Sequence, residues 1–183
     1  MVRTKDGRGL AAGAVRAVKA AGIGVVVAAA LVLGTAQAAD DPALKRLVGE
    51  WIGDGVFRWD SISDPERLYC KVTSTISADG VFHETGRCAV ANDSAAVRVD
   101  IQPLSAGKYA GSASTGLGLR KPATFTGTGK ANQIVLVATE TNEPTPTVLT
   151  IDIGSGGFRI RAERTDPKTG KKFTATDATF AHP

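Results

Sequence analysis

The sequence has few of the residues on which metal binding and nucleophilic catalysis depend. Among 183 residues there are two histidines, two cysteines and one methionine, and aromatic residues make up 5%. None of these is spaced as metal ligands or a catalytic triad would require. A phosphate-binding loop is also missing, because no Gly-Lys pair, including those at 129–130 and 170–171, is followed by Ser or Thr. We therefore expect a protein that is not an enzyme and has no metal and no cofactor.

Long apolar runs are missing except for one near the N-terminus. Residues 20–34 (AAGIGVVVAAALVLG) follow five basic residues and precede Ala36-Gln37-Ala38. This order is typical of an export signal. The run is shorter than the roughly 20 apolar residues of a membrane-spanning helix, although an uncleaved anchor is the alternative. We predict a signal peptide at 1–38 and a mature domain at 39–183, periplasmic or secreted from a bacterium, with no membrane span after cleavage.

The basic charge of the chain belongs to the predicted signal. The whole chain has 22 Lys and Arg against 18 Asp and Glu, a net charge of +4. Five of the bases and one acid lie in residues 1–38, which leaves 17 of each sign in the mature chain. A neutral chain without basic runs lacks the electrostatic footprint of nucleic-acid or anionic-lipid binding. We expect neither partner, and we expect a soluble monomer.

Helical periodicity is confined to one short segment. In residues 40–49 (DDPALKRLVG), Asp40 or Asp41 can cap a helix that Gly49 ends, with Leu44, Leu47 and Val48 on one face. After it, apolar and polar residues alternate with the period of two that is typical of strands. Ten such segments follow one another: LVGEWIGDGVFRW, ERLYCKVTSTI, VFHETGRCAV, AAVRVDIQ, GKYAGSAS, ATFTGTGK, QIVLVATE, TVLTIDI, FRIRAERT and KFTATDATF.

The number and spacing of these segments predict the fold class. No helix separates the strands, which argues against a parallel sheet. We predict an all-β protein, an antiparallel up-and-down β-barrel of about 8–10 strands with a short N-terminal helix. A two-sheet sandwich with glycine bulges is the alternative.

The two cysteines test the register of the second and third strands. A three-residue turn at 78–80 (ADG), with Gly80 in the left-handed region, places Cys70 directly opposite Cys88. A two-residue turn would instead place Ala89 there. Directly opposed residues lie within reach of a disulfide, and two cysteines in an exported chain pair by default. We predict a Cys70–Cys88 disulfide.

The first strand mixes glycine with large aromatic residues on one face. Gly53 and Gly55 share their parity with Trp51, Phe57 and Trp59. Glycines permit the sharp bends of a closed barrel. We predict that Trp51 and Phe57 plug the space that the glycines open.

The short helix followed by Gly49-x-Trp51 resembles the opening of lipocalin and calycin-type barrels, small exported bacterial relatives included. The resemblance implies that Trp51 closes the base of the barrel. The spacing G-x-W-x-G-x-G is also similar to that of ten-stranded, haem-binding nitrobindin-like barrels, but neither His83 nor His182 matches their haem ligand. A barrel with one cysteine pair further resembles periplasmic inhibitors of secreted metalloproteases.

Three charged residues share a strand face with apolar residues. They are Glu84, Arg164 and Asp177. Because a buried carboxylate needs a partner, Arg164 could pair with an acid inside the barrel, and the three are candidate polar contacts for a ligand. The alternative is that they lie at the barrel mouth, in contact with water. His83 is interpreted as an exposed strand residue.

Two functions fit these observations. The first is a non-enzymatic, calycin-like periplasmic barrel that binds a small apolar ligand. The second is a protein-binding module, such as a protease inhibitor or an envelope-assembly factor. A cavity of a few hundred Å³ would favour the ligand, whereas a filled interior with an exposed apolar patch would favour a protein partner.

Overall fold

The computed structural model describes residues 41–105, 107–114, 119, 121–140 and 142–183. The predicted signal peptide lies outside these residues. The described part contains one helix, α1, and ten strands, β1 to β10. Their bounds are α1 Pro42–Lys45, β1 Gly49–Phe57, β2 Glu66–Ile76, β3 Phe82–Val90, β4 Asp93–Ser105, β5 Lys108–Ala113, β6 Ala123–Lys130, β7 Gln133–Glu140, β8 Thr147–Ile153, β9 Gly157–Thr165 and β10 Lys172–Ala181.

The ten strands form a single closed antiparallel barrel. Each strand pairs with its neighbours in sequence, and β1 pairs with β10 to close the sheet. The predicted all-β, up-and-down barrel is confirmed, and the sandwich alternative is wrong. The strands alternate between buried and exposed residues as their period of two predicts, most clearly along β2 and β8.

The β2–β3 hairpin has the predicted register and the predicted disulfide. Ser77 N–H donates to the Val81 carbonyl oxygen, and Gly80 has a φ of 82°. Cys70 pairs with Cys88 in the strand register and forms a disulfide with it. Their Cα atoms are 4.0 Å apart, slightly closer than the roughly 4.5–5.5 Å expected for opposed strand residues. The bridge lies in the apolar interior.

Helix α1 is shorter than predicted. Asp41 caps it by accepting hydrogen bonds from the backbone N–H groups of Ala43 and Leu44, at 2.9 and 3.0 Å. The helix ends at Lys45, not near Gly49, because the chain turns there to enter β1. Leu44 is buried as predicted, but Val48 is 39% exposed and does not share the buried face.

Helix α1 lies across one end of the barrel, which we call the helix end. The Arg46 guanidinium donates to the carbonyl oxygens of Ala131, Ile153 and Gly154, at 3.0, 3.2 and 2.5 Å. Tyr109 donates its hydroxyl proton to Asp41 at 2.9 Å. These contacts fix the helix to the β6–β7 and β8–β9 connections and to the start of β5. The opposite end, which we call the loop end, carries the β1–β2, β3–β4, β5–β6, β7–β8 and β9–β10 connections.

The glycines of β1 make room for a different aromatic residue from the predicted ones. A Cβ atom at Gly53 would lie 2.5 Å from Cε1 of Phe180, and one at Gly55 would meet the backbone of Ala178. Phe180 in β10, not Trp51 or Phe57, therefore occupies the space beside Gly53. The strand pair β1–β10 closes the barrel at this close approach.

Candidate functional site

An apolar cavity lies inside the barrel. Its volume is about 40 Å³, enough for a few water molecules but far below the few hundred Å³ of an ordinary ligand pocket. It extends from Leu47 at the helix end to Ala113 and Leu119 at the loop end. The remaining lining residues come from β3 to β9 and the start of the β5–β6 connection: Phe82, Glu84, Val97, Arg98, Val99, Ile101, Ser114, Phe125, Leu136, Leu149, Ile151 and Ile160.

Glu84 is the acidic residue on this cavity wall. It is 5% exposed, and its Oε2 accepts a hydrogen bond from the Ser74 hydroxyl at 3.1 Å. The two residues are cross-strand partners in β3 and β2, so the hairpin register brings them together. Burial raises the pKa of Glu84 to about 7, while the Ser74 hydrogen bond lowers it by less. Near neutral pH the cavity therefore contains a carboxyl group that can gain or lose a proton.

Arg164 is buried as its strand parity indicates, but its partners are not the predicted ones. Its guanidinium lies 3.1 Å from Oε1 of Glu140 and 3.9 Å from Oε2 of Glu143. Glu140 also accepts hydrogen bonds from the Thr147 hydroxyl at 2.9 Å and from the backbone N–H of Lys121 at 3.0 Å. We call Glu140, Glu143, Thr147 and Arg164 the loop-end cluster. It is separate from the cavity wall, so Arg164 does not neutralise Glu84.

Asp177 faces outwards, which corrects the prediction that it lies inside. A register shift between Thr174 and Thr176 in β10 places both Ala175 and Thr176 in the interior. The alternation is therefore reversed beyond this bulge. Asp177 forms an ion pair with Arg159 on the outer face at 2.5 Å, and the hydrogen bond from Arg159 lowers the Asp177 pKa.

The two predicted plug residues lie at opposite ends of the barrel. Trp51 is 3% exposed, donates its indole N–H to the Leu47 carbonyl oxygen at 2.8 Å, and stacks on His182 with ring centres 3.9 Å apart. It lies at the helix end, the position that the calycin resemblance implies. Phe57 is half-buried at the loop end and packs edge-on against Trp59 at 4.8 Å. The two aromatic residues therefore do not form one plug.

Leu119 is a site residue that the sequence did not reveal. It belongs to the β5–β6 connection, yet it is 6% exposed and lines the cavity. No alternation marks it, because it lies outside the strands. The one sequence signal is a single leucine pair, Leu117 and Leu119, in a connection otherwise rich in glycine and polar residues.

His83 belongs to a polar cluster on the outer face. The sequence predicted an exposed strand residue there, but not its polar partners. Its Nδ1 lies 2.6 Å from Asp100 Oδ1, and its Nε2 lies 3.2 Å from Ser77 Oγ. The order Ser–His–Asp is that of a hydrolytic triad. However, the Ser77 hydroxyl has Asp79 Oδ1 at 2.5 Å and the Val81 carbonyl oxygen at 3.0 Å as proton acceptors. Its proton is thus directed away from His83, and the cluster ties β4 to the β2–β3 turn.

Exposed large apolar side chains are concentrated in and around the β1–β2 connection. Of the seven in the described residues, four lie between positions 56 and 69, namely Val56, Trp59, Ile62 and Tyr69. We call them the β1–β2 apolar group. Ile62 is 83% exposed, although its loop is well ordered by hydrogen bonds. Asp60 accepts from the backbone N–H of Ile62 at 3.1 Å, and the Ser61 hydroxyl donates to Asp166 at 2.5 Å.

Two features are absent from the described ranges. No group of three or more His, Cys, Asp or Glu residues there is placed to hold a metal ion. Within the same ranges, no helix has the length and hydrophobicity needed to cross a membrane.

Comparison with known proteins shows a similarity to solved structures. No family model and no curated protein matches the sequence. Among solved structures, the barrel is similar to the crystal structure of Rv2717c from M. tuberculosis, with a TM-score of 0.61 and 14% sequence identity over 78% of this chain and 98% of that one. At this identity the similarity concerns the fold alone.

Proposed function

We propose that this protein is an exported, non-enzymatic binding protein that holds a small apolar ligand in the barrel interior beside Glu84. The observation that carries this proposal is a buried carboxyl group on an apolar cavity wall. Ligand sites commonly combine apolar walls with a few placed polar groups and titratable residues of shifted pKa. Export is supported by the predicted signal peptide and by the disulfide, since disulfides persist in oxidising compartments.

The burial of Glu84 disfavours folding. A role in binding accounts for the presence of a carboxyl group at this position. A carboxyl group transferred from water to an apolar interior loses hydration that one hydroxyl partner does not replace. An apolar side chain at position 84 would satisfy the same strand pattern without this cost. A residue that lowers stability at the wall of a cavity is the kind of group that a binding site retains.

The cavity does not reach the few hundred Å³ that would by size favour a ligand over a protein partner, and its size limits what it can hold. With the side chains as they stand, about 40 Å³ admits a guest of only a few atoms. By comparison, an engineered apolar cavity that binds benzene has a volume of roughly 150 Å³. The ligand is therefore compact, or the lining side chains shift to admit it.

Xenon binding and native mass spectrometry test this proposal. Xenon enters apolar cavities, so chemical shifts of the lining methyl groups of Val97, Ile101 and Leu136 are expected to respond to xenon pressure. Ala113→Leu, which fills the loop end of the cavity, serves as the control and is expected to abolish the response. Native mass spectrometry of protein purified from the periplasm is expected to show a small adduct that the Ala113→Leu variant lacks. No response to xenon together with no adduct would reject the ligand function.

A second candidate function is protein binding, which the β1–β2 apolar group favours. Trp and Tyr are enriched at the energetic centres of protein interfaces, and Trp59 and Tyr69 are 40% and 48% exposed. A photo-crosslinking residue at position 62 is expected to capture a periplasmic protein if this function holds. The same residue at position 137, an exposed valine of β7, is the matched control. Equal labelling at the two positions would argue against a specific interface at the β1–β2 connection.

A further inference from the structure

The loop end of the cavity is closed by a residue from a connection, not from a strand. Leu119 reaches the cavity from the β5–β6 connection and is 6% exposed. Along the strands, a residue's inward position is imposed by the backbone hydrogen bonds of the sheet. Leu119 lies outside the ten strands, in a single β-bridge, and its connection is also held by a side-chain contact at Lys121.

The loop-end cluster anchors this connection two residues after Leu119. Glu140, whose side chain is fully buried, accepts a hydrogen bond from the backbone N–H of Lys121 at 3.0 Å. The Lys121 ammonium lies 3.3 Å from Glu143. Arg164 and Thr147 hold Glu140 in place from the neighbouring strands. The buried ion pair therefore holds the backbone of Lys121, two residues from Leu119.

The polar residues on the cavity wall determine which kind of polar group a bound ligand can carry. Glu84 accepts one hydrogen bond, from Ser74, and a carboxyl group has capacity for more. The other polar lining residues, Arg98 and Ser114, are engaged at the outer edge, where Ser114 Oγ accepts from the Arg98 backbone N–H at 2.9 Å. A cationic ligand would bring a second charge into an apolar space and lose its hydration there. A neutral hydroxyl group has a much smaller hydration loss and can donate to Glu84.

We propose that the cavity binds a compact, uncharged molecule with an apolar body and one hydroxyl group that donates to Glu84, and that Leu119 sets the upper limit on its size. This inference rests on the proposed ligand function and adds the ligand class and the residue that determines its size. Truncation of Leu119 is expected to enlarge the cavity towards the volume that admits a benzene ring.

Phenol and toluene are suitable probes, because they differ in a hydroxyl group against a methyl group at nearly equal size. Binding to the wild type, Leu119→Ala and Leu104→Ala is measured by calorimetry and by ligand-observed NMR. Leu104 is 54% exposed and is the matched control for a leucine truncation. Leu119→Ala is expected to bind both probes at least about tenfold more tightly than the wild type, and Leu104→Ala is expected to behave like the wild type. Leu119→Val replaces Leu119→Ala if circular dichroism shows that the latter is unfolded.

The role of Glu84 is read from the ratio of the toluene Kd to the phenol Kd. This ratio is expected to be about tenfold larger in Leu119→Ala than in the double variant Leu119→Ala/Glu84→Met, which lacks the acceptor. The double variant Leu119→Ala/Glu84→Gln keeps an acceptor and is expected to retain part of the preference.

The outcomes separate this inference from the function on which it rests. Equal Kd ratios with and without Glu84 would overturn the proposal that the ligand carries a hydroxyl group. Tight toluene binding to Leu119→Ala would still agree with the ligand function. Equal affinities of the wild type and Leu119→Ala would overturn the role of Leu119. Failure of the proposed function itself appears separately, as the absence of both a xenon response and an adduct in the wild type.

Discussion

Glu84 makes the stability of this barrel depend on pH. Its pKa is about 7 in the folded protein, against an ordinary value of 4.5. Between these two pH values the folded state retains a proton that the unfolded state has released. The free energy of unfolding therefore falls as pH rises through this window, by about 3 kcal/mol in total. Carboxyl groups with lowered pKa, such as Asp100 and Asp177, change stability only at more acidic pH.

Urea unfolding between about pH 5 and pH 8 tests this prediction. Glu84→Gln preserves the shape of the side chain but does not titrate, so its stability is expected to be nearly flat over the range in which the wild type weakens. An equal slope in the two proteins would show that Glu84 is not the group responsible.

Trp51 and Trp59 are expected to differ strongly in their contribution to stability. Trp51 is 3% exposed and packs edge-on against Phe158 with ring centres 5.1 Å apart, whereas Trp59 is 40% exposed and contacts Glu66 through its indole N–H. Truncation of Trp51 to alanine is expected to lower the free energy of unfolding by about 3–5 kcal/mol, as for other buried aromatic residues. Trp59→Ala is expected to lower the free energy of unfolding much less. Chemical denaturation of both variants measures this difference. Equal midpoints would contradict a closing role for Trp51 at the helix end.

At the scale of elements, the turn of the β2–β3 hairpin sets the strand register, and the register places the two cysteines of the disulfide opposite each other. Alkylation of native protein is expected to label neither cysteine, and alkylation after reduction in denaturant is expected to label both. The double variant Cys70→Ala/Cys88→Ala is expected to lose about 3 kcal/mol of stability in the chain-entropy model, because the bridge restricts the unfolded chain across a separation of 18 residues. Labelling of the native protein in an oxidising compartment would contradict the bridge.

The other elements differ in how far their sequence reveals their packing. Residues within β2 point where their parity predicts, because the hairpin hydrogen bonds continue without interruption. Strand β10 contains the same alternation in its sequence, but its bulge reverses the direction of Asp177. A bulge depends on the partner strand, so one strand's sequence does not reveal it.

At the scale of the whole molecule, the predicted signal peptide leads us to expect that residues 1–38 are removed on export. We expect protein recovered from the periplasm to begin near Ala39, which intact-mass measurement tests. A mass that retains residues 1–38, with fractionation into membranes, would replace the predicted signal peptide by an anchor.

The sequence by itself predicted about 8–10 strands, their antiparallel order and the Cys70–Cys88 pairing, and the structure has ten strands and that disulfide. These depend on local properties, namely the period of two along each strand and the length of each turn. Glu84 was identified in the same way, because its side chain direction follows from an uninterrupted strand.

Only the tertiary structure decided the partners of the buried charges and the closure of the cavity. Arg164 meets Glu140 and not Glu84, since that contact joins β9 to the end of β7 across the loop end. Leu119 lines the cavity from outside the ten strands, and its connection is also held by a side-chain contact at Lys121. Such contacts arise between residues far apart in the chain, where neither periodicity nor turn length constrains which side chains meet.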